Sequence, residues 1–234
     1  MPDGFFITGT DTEVGKTFFT SGLASLLKRR GYDAGVFKPV ATGGAPSEDA
    51  ILLKEASGTS DRLNEINPVC LPDPFSPNVA AELANQPIDL SLVLAAYAAL
   101  AARHQMMLVE GVGGLLVPIL HDYSVADLAK DMGLPLIVVA RSTLGTINHT
   151  LLTLEAAAAR DLEVRGVVYN TPSPSTPDKA TETSPAVISR ISGIPSLGTL
   201  PWCELSASGQ QVRRSADLLH EHLDLDRLLL AAME

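Results

Sequence analysis

The sequence is poor in basic residues and in long apolar runs, and each scarcity excludes a class of protein. Of its 234 residues, 17 are Lys or Arg and 27 are Asp or Glu, which gives a formal net charge of −10. Non-specific nucleic-acid binding needs clustered basic residues, so no nucleic-acid partner is expected. The apolar runs Met106 to Val109 and Leu134 to Ala140 have the length of strands, so no membrane-spanning segment is expected.

Cysteine is also scarce. The two cysteines, Cys70 and Cys203, lack the spacing of a metal site. They favour a reducing compartment, and we interpret them as small apolar core residues rather than a redox pair. The start Met1-Pro2-Asp3 carries no basic residue, so no signal peptide is expected. The predicted location is the cytoplasm.

What the sequence does contain is an alternation of apolar segments with strand and helix periods. Strands are predicted at Phe5–Ile7, Ala34–Phe37, Met106–Val109, Leu115–Ile119, Leu136–Ala140, Val164–Tyr169 and Ser196–Leu200. Helices are predicted at Thr17–Arg30, Asp49–Ala56, Leu90–Ala102, Val125–Met132, Ile147–Arg160, Ala186–Ile191 and Ala216–Ala231. This order predicts an α/β fold, a doubly wound and mostly parallel sheet, within one domain spanning 1–234.

Two segments lack either period. Asn67–Asn78 carries four prolines and is predicted to form a stiff loop. Thr171–Pro185 is rich in Pro, Ser and Thr, and it is also predicted to be irregular.

The most informative motif runs from Gly9 to Thr17. It follows the apolar residues of the first predicted strand and precedes the first predicted helix, which is the context of a phosphate-binding loop. Such a loop directs backbone N–H groups and a helix N-terminus at an anion. Lys16 is expected to reach the β- and γ-phosphates of a nucleotide, and Thr17 to ligate Mg²⁺. The alternative is a glycine-containing turn that happens to precede a helix.

The loop departs from the usual pattern in an instructive way. Thr10 stands where the first glycine belongs, and Gly9 lies one residue upstream. Asp11 and Glu13 are unusual beside a polyanion, because two carboxylates repel a triphosphate unless a cation or a helix N-terminus offsets them.

Further chemical residues follow other predicted strands. Lys38 comes directly after the second strand and would add positive charge beside the loop, although a lone lysine is more often solvated. Glu110 closes the third strand and would join Thr17 as a metal ligand; the alternative is a surface carboxylate in a strand-to-loop turn. Asp49 opens a helix, where it is either a helix cap or a further metal ligand.

These motifs, in this order, resemble the dethiobiotin synthetase family of biotin biosynthesis. The resemblance is carried by Gly9–Thr17, Lys38–Gly43, Ser76-Pro77, Glu110–Gly114 and Gly145–His149. It implies a P-loop NTPase-like fold and an ATP- and Mg²⁺-dependent ligase. The family's substrates are 7,8-diaminopelargonic acid, CO₂ or bicarbonate, and ATP. One amine captures CO₂ as a carbamate, whose oxygen attacks the γ-phosphate, and the second amine then closes the ureido ring to give dethiobiotin, ADP and phosphate.

The resemblance also implies a role for each matching residue. The nucleotide-binding set is Glu13, Val14, Gly15, Lys16, Thr17, Phe18, Asn170 and Pro201. The substrate-binding set is Thr12, Lys38, Thr42, Gly111, Val112, Gly113 and Asn148. The metal set is Thr17, Asp49 and Glu110. Catalysis is assigned to Lys38, Lys16 and Thr12.

The family is homodimeric, with the carboxylate tail of the substrate reaching the neighbouring subunit. Asn148, at the start of a predicted helix, is the expected contact for that tail, since a helix N-terminus suits a carboxylate. His149 is interpreted as a structural histidine on an amphipathic helix, the alternative being a proton carrier.

Three other functions are open to a protein with this loop. A ParA/MinD-type nucleotide switch carries a second lysine five residues before the loop lysine, where this chain has Asp11. A cobyrinate-type amidotransferase needs a glutaminase domain with a Cys/His pair. A nucleotide-binding module without chemistry has no use for Lys38.

Overall fold

The computed structural model describes residues 3–171, 173–174, 179–204 and 208–230. This part of the chain contains ten strands, which are β1 (Asp3–Gly9), β2 (Ala34–Phe37), β3 (Val40–Thr42), β4 (Val69–Leu71), β5 (Met106–Gly114), β6 (Pro118–Leu120), β7 (Tyr123–Ser124), β8 (Leu136–Arg141), β9 (Val164–Asn170) and β10 (Ser196–Leu200). It also contains ten helices, which are α1 (Lys16–Arg29), α2 (Glu48–Ser57), α3 (Leu63–Ile66), α4 (Pro77–Leu83), α5 (Leu90–Ala101), α6 (Val125–Met132), α7 (Thr146–Ala158), α8 (Lys179–Ser192), α9 (Ser208–His222) and α10 (Leu225–Leu230).

Six strands form the central sheet, in the spatial order β10-β9-β8-β1-β5-β2, and all five pairings are parallel. Strands β3 and β4 make a small parallel pair, and β6 and β7 a short antiparallel hairpin. Parallel neighbours that are distant in sequence require crossovers, which the helices provide. The predicted α/β class is confirmed. No helix among the described residues is both long and apolar enough to cross a bilayer.

Strand β1 shows why the sheet is covered on both faces. Phe5 and Ile7 pack into a core that includes Phe19 and Leu23 of α1. Phe6 points to the opposite face, into a second core that includes Leu128 of α6. Adjacent residues of a strand project to opposite faces, so a continuous apolar run is the expected pattern for a strand buried on both sides.

The carboxyl ends of the central strands meet at one edge of the sheet. The phosphate-loop motif follows β1, Lys38 follows β2, and Glu110 lies at the middle of β5. Arg141 and Asn170 end β8 and β9. Ligands of open α/β sheets bind at this edge, so the topology brings together residues that are more than a hundred positions apart in sequence.

The predicted strand Leu115–Ile119 is wrong. Strand β5 continues through Gly114, and the chain then turns at Leu115 and Leu116 before the short strand β6 begins at Pro118. The turn is closed by the Val117 N–H, which donates to the Gly114 carbonyl. Gly113 adopts a φ of 61°, a left-handed conformation that suits glycine.

Both segments predicted to be irregular contain regular structure. Asn67–Asn78 includes β4, which pairs with β3, and the first residues of α4, with Pro77 in the first turn where its missing N–H is tolerated. Thr171–Pro185 includes the beginning of α8, which starts at Lys179 and contains Pro185. The prediction is therefore wrong from Lys179 onward, and residues 172 and 175–178 lie outside the described residues.

The long helix predicted over Ala216–Ala231 is divided into α9 and α10, and its last residue lies outside the described residues. The division occurs because the chain pairs with β10 at this point. The Asp224 N–H donates to the carbonyl of Leu197, and Leu223 forms a bridge with Gly198. A hydrogen bond to a sheet edge replaces the next helical bond, so the helix restarts at Leu225.

An ionic cluster lies at the amino-terminal edge of the sheet, opposite the phosphate loop. His104 precedes β5 and is 10% exposed. Its Nδ1 lies 2.7 Å from Asp33 Oδ1, and its Nε2 lies 2.7 Å from Asp61 Oδ2. Arg103 also pairs with Asp61, at 3.0 Å. Burial lowers the pKa of His104, but hydrogen bonds to the two aspartates and their charges outweigh burial, so the pKa is raised above 6.5.

We expect this cluster to make stability depend on pH. Because the folded-state pKa of His104 is raised, its contribution is fully present below the ordinary pKa and is lost as pH rises through the folded value. The free energy of unfolding should therefore fall as pH increases above about 6.5, and His104→Asn should remove that part of the fall. Urea unfolding of both proteins from pH 5.5 to 9 measures this, and identical pH profiles would contradict it.

Candidate active site

The phosphate-loop motif forms a turn between β1 and α1 that is closed by glycine. Gly15 precedes α1 with a φ of 101°, and a Cβ placed there would lie 2.2 Å from Asn170 Nδ2. Only glycine fits this position, on both conformational and steric grounds. Glu13 also has a positive φ, 55°, which is uncommon for a residue with a side chain and is often found at functional sites.

Lys16 is buried at the first turn of α1, where it is 7% exposed. Its ammonium donates to the backbone carbonyl of Asp11 across the loop, at 3.0 Å. Burial and the nearby positive charge of Lys38 together lower the pKa of Lys16 to about 8, although the charges of Glu110, Asp49 and Asp11 oppose this. A cation held in this way, with few partners, has unused capacity to bind an anion.

A second group of charges lies beside the loop. The Lys38 ammonium is 2.6 Å from Glu110 Oε1 and 2.7 Å from Asp49 Oδ2. It also donates to the carbonyl of Gly111 at 3.3 Å. Burial lowers the pKa of Lys38, but the charges of Glu110 and Asp49 outweigh it and raise the pKa overall. Burial raises the pKa of Asp49, whereas Lys38 and the Thr17 hydroxyl lower it, and the net direction is down. Lys38 and Asp49 are therefore both charged at neutral pH.

The Thr17 hydroxyl lies between the same two carboxylates. Its Oγ1 is 2.8 Å from Asp49 Oδ1 and 2.8 Å from Glu110 Oε1. A hydroxyl has one hydrogen, so it cannot donate to both acceptors at once. Glu110 is fully buried, and its Oε2 has no hydrogen-bond partner among the described residues. The hydroxyl and the two carboxylates therefore present more oxygen atoms than there are hydrogens to share. Such oxygens are suitable ligands for a hard cation.

The donor set also indicates which cation fits. The described residues contain no group of three or more His, Cys, Asp or Glu side chains that could hold a metal. Two carboxylates and one hydroxyl are too few for an all-protein cage, but Mg²⁺ is usually held by one or two carboxylates together with substrate phosphates. The predicted metal set of Thr17, Asp49 and Glu110 is therefore brought together, and it fits Mg²⁺ bound with a nucleotide.

Two adjoining cavities open at this edge of the sheet. The larger, of about 630 Å³, is here called the reaction cavity, and the smaller, of about 340 Å³, the base cavity. The predicted residues in the reaction-cavity lining are Thr12, Glu13, Gly15, Lys16, Thr17, Phe18, Lys38, Thr42, Asp49, Glu110, Val112 and Gly113. The base cavity includes Asn170 and Pro201. Glu13, Gly15 and Phe18 belong to both, so the cavities form one continuous site.

Three predicted residues lie outside these linings in the described part of the chain. Val14 is fully buried, and its carbonyl accepts a hydrogen bond from Asn170 Nδ2 at 3.0 Å. Gly111 contacts the site through its carbonyl, which accepts from Lys38. Asn148 is exposed near the start of α7, away from both cavities. Its neighbour His149 lines a separate cavity of about 420 Å³.

Sequence reasoning missed several residues at the site. Phe75 lines the reaction cavity, and Trp202 and Glu204 line the base cavity. Trp202 could have been predicted, because an aromatic residue directly after Pro201 and a predicted strand end is suited to stacking on a base. The sequence contains no comparable signal for Arg141, which lies at the end of β8 and contacts the phosphate loop.

The chain is similar to known proteins over most of its length. A family model described as an AAA domain matches residues 3–209. The ATP-dependent dethiobiotin synthetase BioD of Bacillus subtilis (strain 168) is 43% identical over 201 residues, which cover 85% of this chain and 87% of that protein. The BioD of Bacillus licheniformis is 41% identical over 229 residues, covering 97% and 95%. The chain belongs to the dethiobiotin synthetase family. The BioD of Thermodesulfovibrio yellowstonii is similar at 40% identity, over 86% of this chain and 90% of that one.

Solved structures show how widely the fold of this dethiobiotin synthetase family member is shared. A ParA family ATPase from Chlorobium tepidum matches with a TM-score of 0.55 at 13% identity, over 94% of this chain and 93% of that one. The signal recognition particle receptor FtsY from Elizabethkingia anophelis matches with a TM-score of 0.54 at 14% identity, over 92% of this chain and 66% of that one. At these identities the likeness establishes the P-loop NTPase-like fold alone, and it gives no support to a nucleotide-switch function.

Proposed function

We propose that this chain is an ATP-dependent dethiobiotin synthetase that carboxylates 7,8-diaminopelargonic acid with CO₂ and closes the ureido ring. One amine captures CO₂ as a carbamate. A carbamate oxygen attacks the γ-phosphorus of ATP, which forms a carbamic–phosphoric anhydride and releases ADP. The second amine attacks the anhydride carbonyl, and the carbon–oxygen bond to the phosphate breaks. The products are dethiobiotin, ADP and phosphate.

The observation that carries this proposal is the pair of buried ammonium groups that line one cavity. Both anionic reactants, the carbamate and the triphosphate, must approach each other before an oxygen can attack phosphorus. Their mutual repulsion is strong in a partly desolvated site, and preorganised cations offset it. Lys16 is expected to hold the β- and γ-phosphates, and Lys38 to hold the carbamate on the other side of the reacting atoms.

ATP is expected to extend from the reaction cavity into the base cavity. Asn170 uses its Nδ2 to donate to the Val14 carbonyl, which leaves its Oδ1 free to accept from the amino group of adenine. Pro201 would border the base, and Glu13, Gly15 and Phe18 would line the passage between the cavities. The backbone N–H groups of the loop and the N-terminus of α1 would face the phosphates.

Mg²⁺ is expected at the group formed by Thr17, Asp49 and Glu110. When bound, it would neutralise charge on the phosphate oxygens. All three residues line the reaction cavity, and the fully buried Glu110 lies within hydrogen-bonding distance of both Thr17 and Lys38. These residues therefore set the distance between the loop and Lys38.

The diamine is expected on the Lys38 side of the reaction cavity. Thr12 and Thr42 offer hydroxyl groups there, and Val112 and Gly113 form part of the wall. Gly111 fixes Lys38 through its carbonyl. Phe75 and Val117 add apolar surface, which suits the methylene chain of the substrate.

We propose a homodimer in which the substrate's carboxylate tail approaches Asn148 of the second copy. Leu116 and Leu152 are 52% and 56% exposed, and both line the cavity beside His149. Exposed leucines around a cavity at the ligand edge are suited to burial against a second copy of the chain. Sedimentation velocity should find a dimer at micromolar concentration, and a monomer would contradict this.

We also propose that 1–234 acts as a single domain in the cytoplasm. Helix α9 packs on α1, which joins the carboxyl-terminal region to the first βα unit. Both cysteines are free thiols, as is usual in reducing compartments. One cooperative unfolding transition and recovery in the cytosolic fraction are expected. Two separate unfolding transitions would contradict the single domain, and recovery outside the cytosol would contradict the cytoplasmic location.

The reaction itself is tested with purified protein, the diamine, bicarbonate, Mg²⁺ and ATP. Dethiobiotin and ADP should appear in a one-to-one ratio, and both should require the diamine. Mass spectrometry measures the first product, and an enzymatic ADP assay measures the second. ATP hydrolysis that ignores the diamine, with no dethiobiotin formed, would overturn the proposal.

A further inference from the structure

The phosphate loop contains an aspartate whose presence needs an explanation. Asp11 lies five residues before Lys16, and its side chain is about half exposed. Its Oδ1 accepts a hydrogen bond from the Thr12 N–H at 2.7 Å, and its backbone carbonyl accepts from the Lys16 ammonium at 3.0 Å. Asp11 therefore shapes the first half of the loop, but its negative charge opposes the binding of a triphosphate.

Arg141 supplies a cation at this point. It ends β8, and one of its terminal nitrogens donates to the backbone carbonyl of Thr12 at 2.8 Å. The same nitrogen lies 3.4 Å from Asp11 Oδ2. The side chain is 40% exposed, although its Nε is buried and has no hydrogen-bond partner among the described residues. The loop is also tied to β8 through the backbone, because the Thr10 N–H donates to the Val139 carbonyl.

The contacts of Arg141 differ from those of an ordinary surface ion pair. A surface pair joins two flexible side chains and contributes little. Arg141 instead joins a strand of the central sheet to both a backbone carbonyl and a carboxylate of the loop. Both contacts come from one terminal nitrogen, which carries two hydrogens and can therefore face both acceptors.

We propose that Arg141 is a positioning residue for the phosphate loop, which neutralises Asp11 and holds Thr12 so that the loop binds ATP in its preformed shape. The inference rests on the proposed use of this loop for ATP. Arg141 acts through Asp11 and Thr12 and does not touch the reacting atoms. Its loss is therefore expected to change ATP affinity more than the rate of the chemical steps.

The test compares ATP binding by five proteins in the presence of Mg²⁺, using isothermal titration calorimetry: the wild type, Arg141→Gln, Arg141→Lys, Asp11→Asn and the double variant. Arg141→Gln should weaken ATP binding by about 10-fold, the size expected for one charge-assisted hydrogen bond. Arg141→Lys should retain part of the affinity, because it keeps the positive charge but on a more flexible stem. The double variant Asp11→Asn with Arg141→Gln should recover to within about threefold of the wild type, since the uncompensated charge is gone. Asp11→Asn alone should strengthen ATP binding much less than it does in the Arg141→Gln background, and equal gains in both backgrounds would show that the two residues act independently.

The matched control is Arg29→Gln. Arg29 lies at the opposite end of α1 and pairs with Asp217 at 2.6 Å, so it is also an arginine–aspartate pair near the surface. Its loss should leave ATP affinity unchanged. Steady-state kinetics should show that Arg141→Gln raises KM for ATP with kcat within about threefold of the wild type.

Unchanged ATP binding by Arg141→Gln would overturn the inference. So would a double variant that binds as weakly as Arg141→Gln, because Arg141 would then act independently of Asp11. If Arg141→Gln does not fold, as judged by circular dichroism, the comparison passes to Arg141→Lys with and without Asp11→Asn. Calorimetry measures ATP binding without turnover. Failure of the proposed ring closure is therefore distinguishable, because the wild-type protein would then bind ATP but make no dethiobiotin.

Discussion

Turnover should fall by about 100- to 1000-fold when Lys38 is replaced by methionine, the loss expected for removal of one preorganised charge from a reacting centre. Methionine keeps most of the length of the lysine side chain but cannot hold a carbamate. We expect the loss to appear mainly in kcat, because the charge matters most while the carbamate oxygen attacks phosphorus. Initial rates of dethiobiotin formation at saturating ATP measure this effect.

The same change should also lower stability. Glu110 is fully buried and loses the ammonium that lies 2.6 Å from its Oε1. Breaking a buried ion pair by removing one partner typically costs about 3–5 kcal/mol. The double variant Lys38→Met with Glu110→Gln should recover much of that loss in urea unfolding, while remaining inactive. Lys130→Met is the matched control, since Lys130 is 56% exposed and pairs with Asp161 at the surface. A Lys38→Met protein that keeps wild-type turnover would contradict the role given to Lys38.

Lys16→Ala should weaken ATP binding by about 100-fold or more, because Lys16 is expected to make charge-assisted contacts to two phosphates. The free energy of unfolding, by contrast, should not fall. The pKa of Lys16 is lowered to about 8 in the folded protein from 10.5, mainly by burial and by Lys38, so the protonated side chain is disfavoured in the fold at neutral pH. Its removal should leave the free energy of unfolding unchanged or raise it.

The measurements for Lys16 are ATP titration calorimetry and urea unfolding at pH 7. Lys130→Ala again serves as the control and should change neither result. A Lys16→Ala protein that is strongly destabilised would show that the residue is structural. A protein that binds ATP normally would show that the loop has another role.

The parts of the site that could be predicted from the sequence are those with a local sequence motif. The segment from Gly9 to Thr17 joins a strand to a helix, and the residues that indicate a phosphate-binding loop all lie within these nine positions. Lys38 was predictable because it follows an apolar strand, and parallel strands direct their carboxyl ends to one edge. Glu110 was predicted to close its strand, which is wrong, because β5 continues to Gly114. The structure brings both residues to Thr17, as that argument requires.

Long-range partners explain what could not be predicted. Arg141 contacts Thr12 from 129 residues away, and an arginine after a strand gives no sign of which loop it will meet. The strand predicted at Leu115–Ile119 was wrong because the chain turns at Leu115 and Leu116. A run of apolar residues does not by itself distinguish a strand from a turn. Asn148 lies outside both cavities of one chain, so its predicted role depends on a second copy that the sequence pattern cannot position.

The central claim is that an oxygen of the substrate carbamate attacks the γ-phosphorus of ATP between Lys16 and Lys38. Bicarbonate labelled with ¹⁸O, supplied with the diamine and ATP and quenched after a short reaction, tests it directly. An ¹⁸O label in the carbonyl of dethiobiotin shows that the labelled bicarbonate was used. One ¹⁸O atom should then also appear in the released phosphate, as detected by mass spectrometry. Labelled dethiobiotin together with unlabelled phosphate would contradict the account.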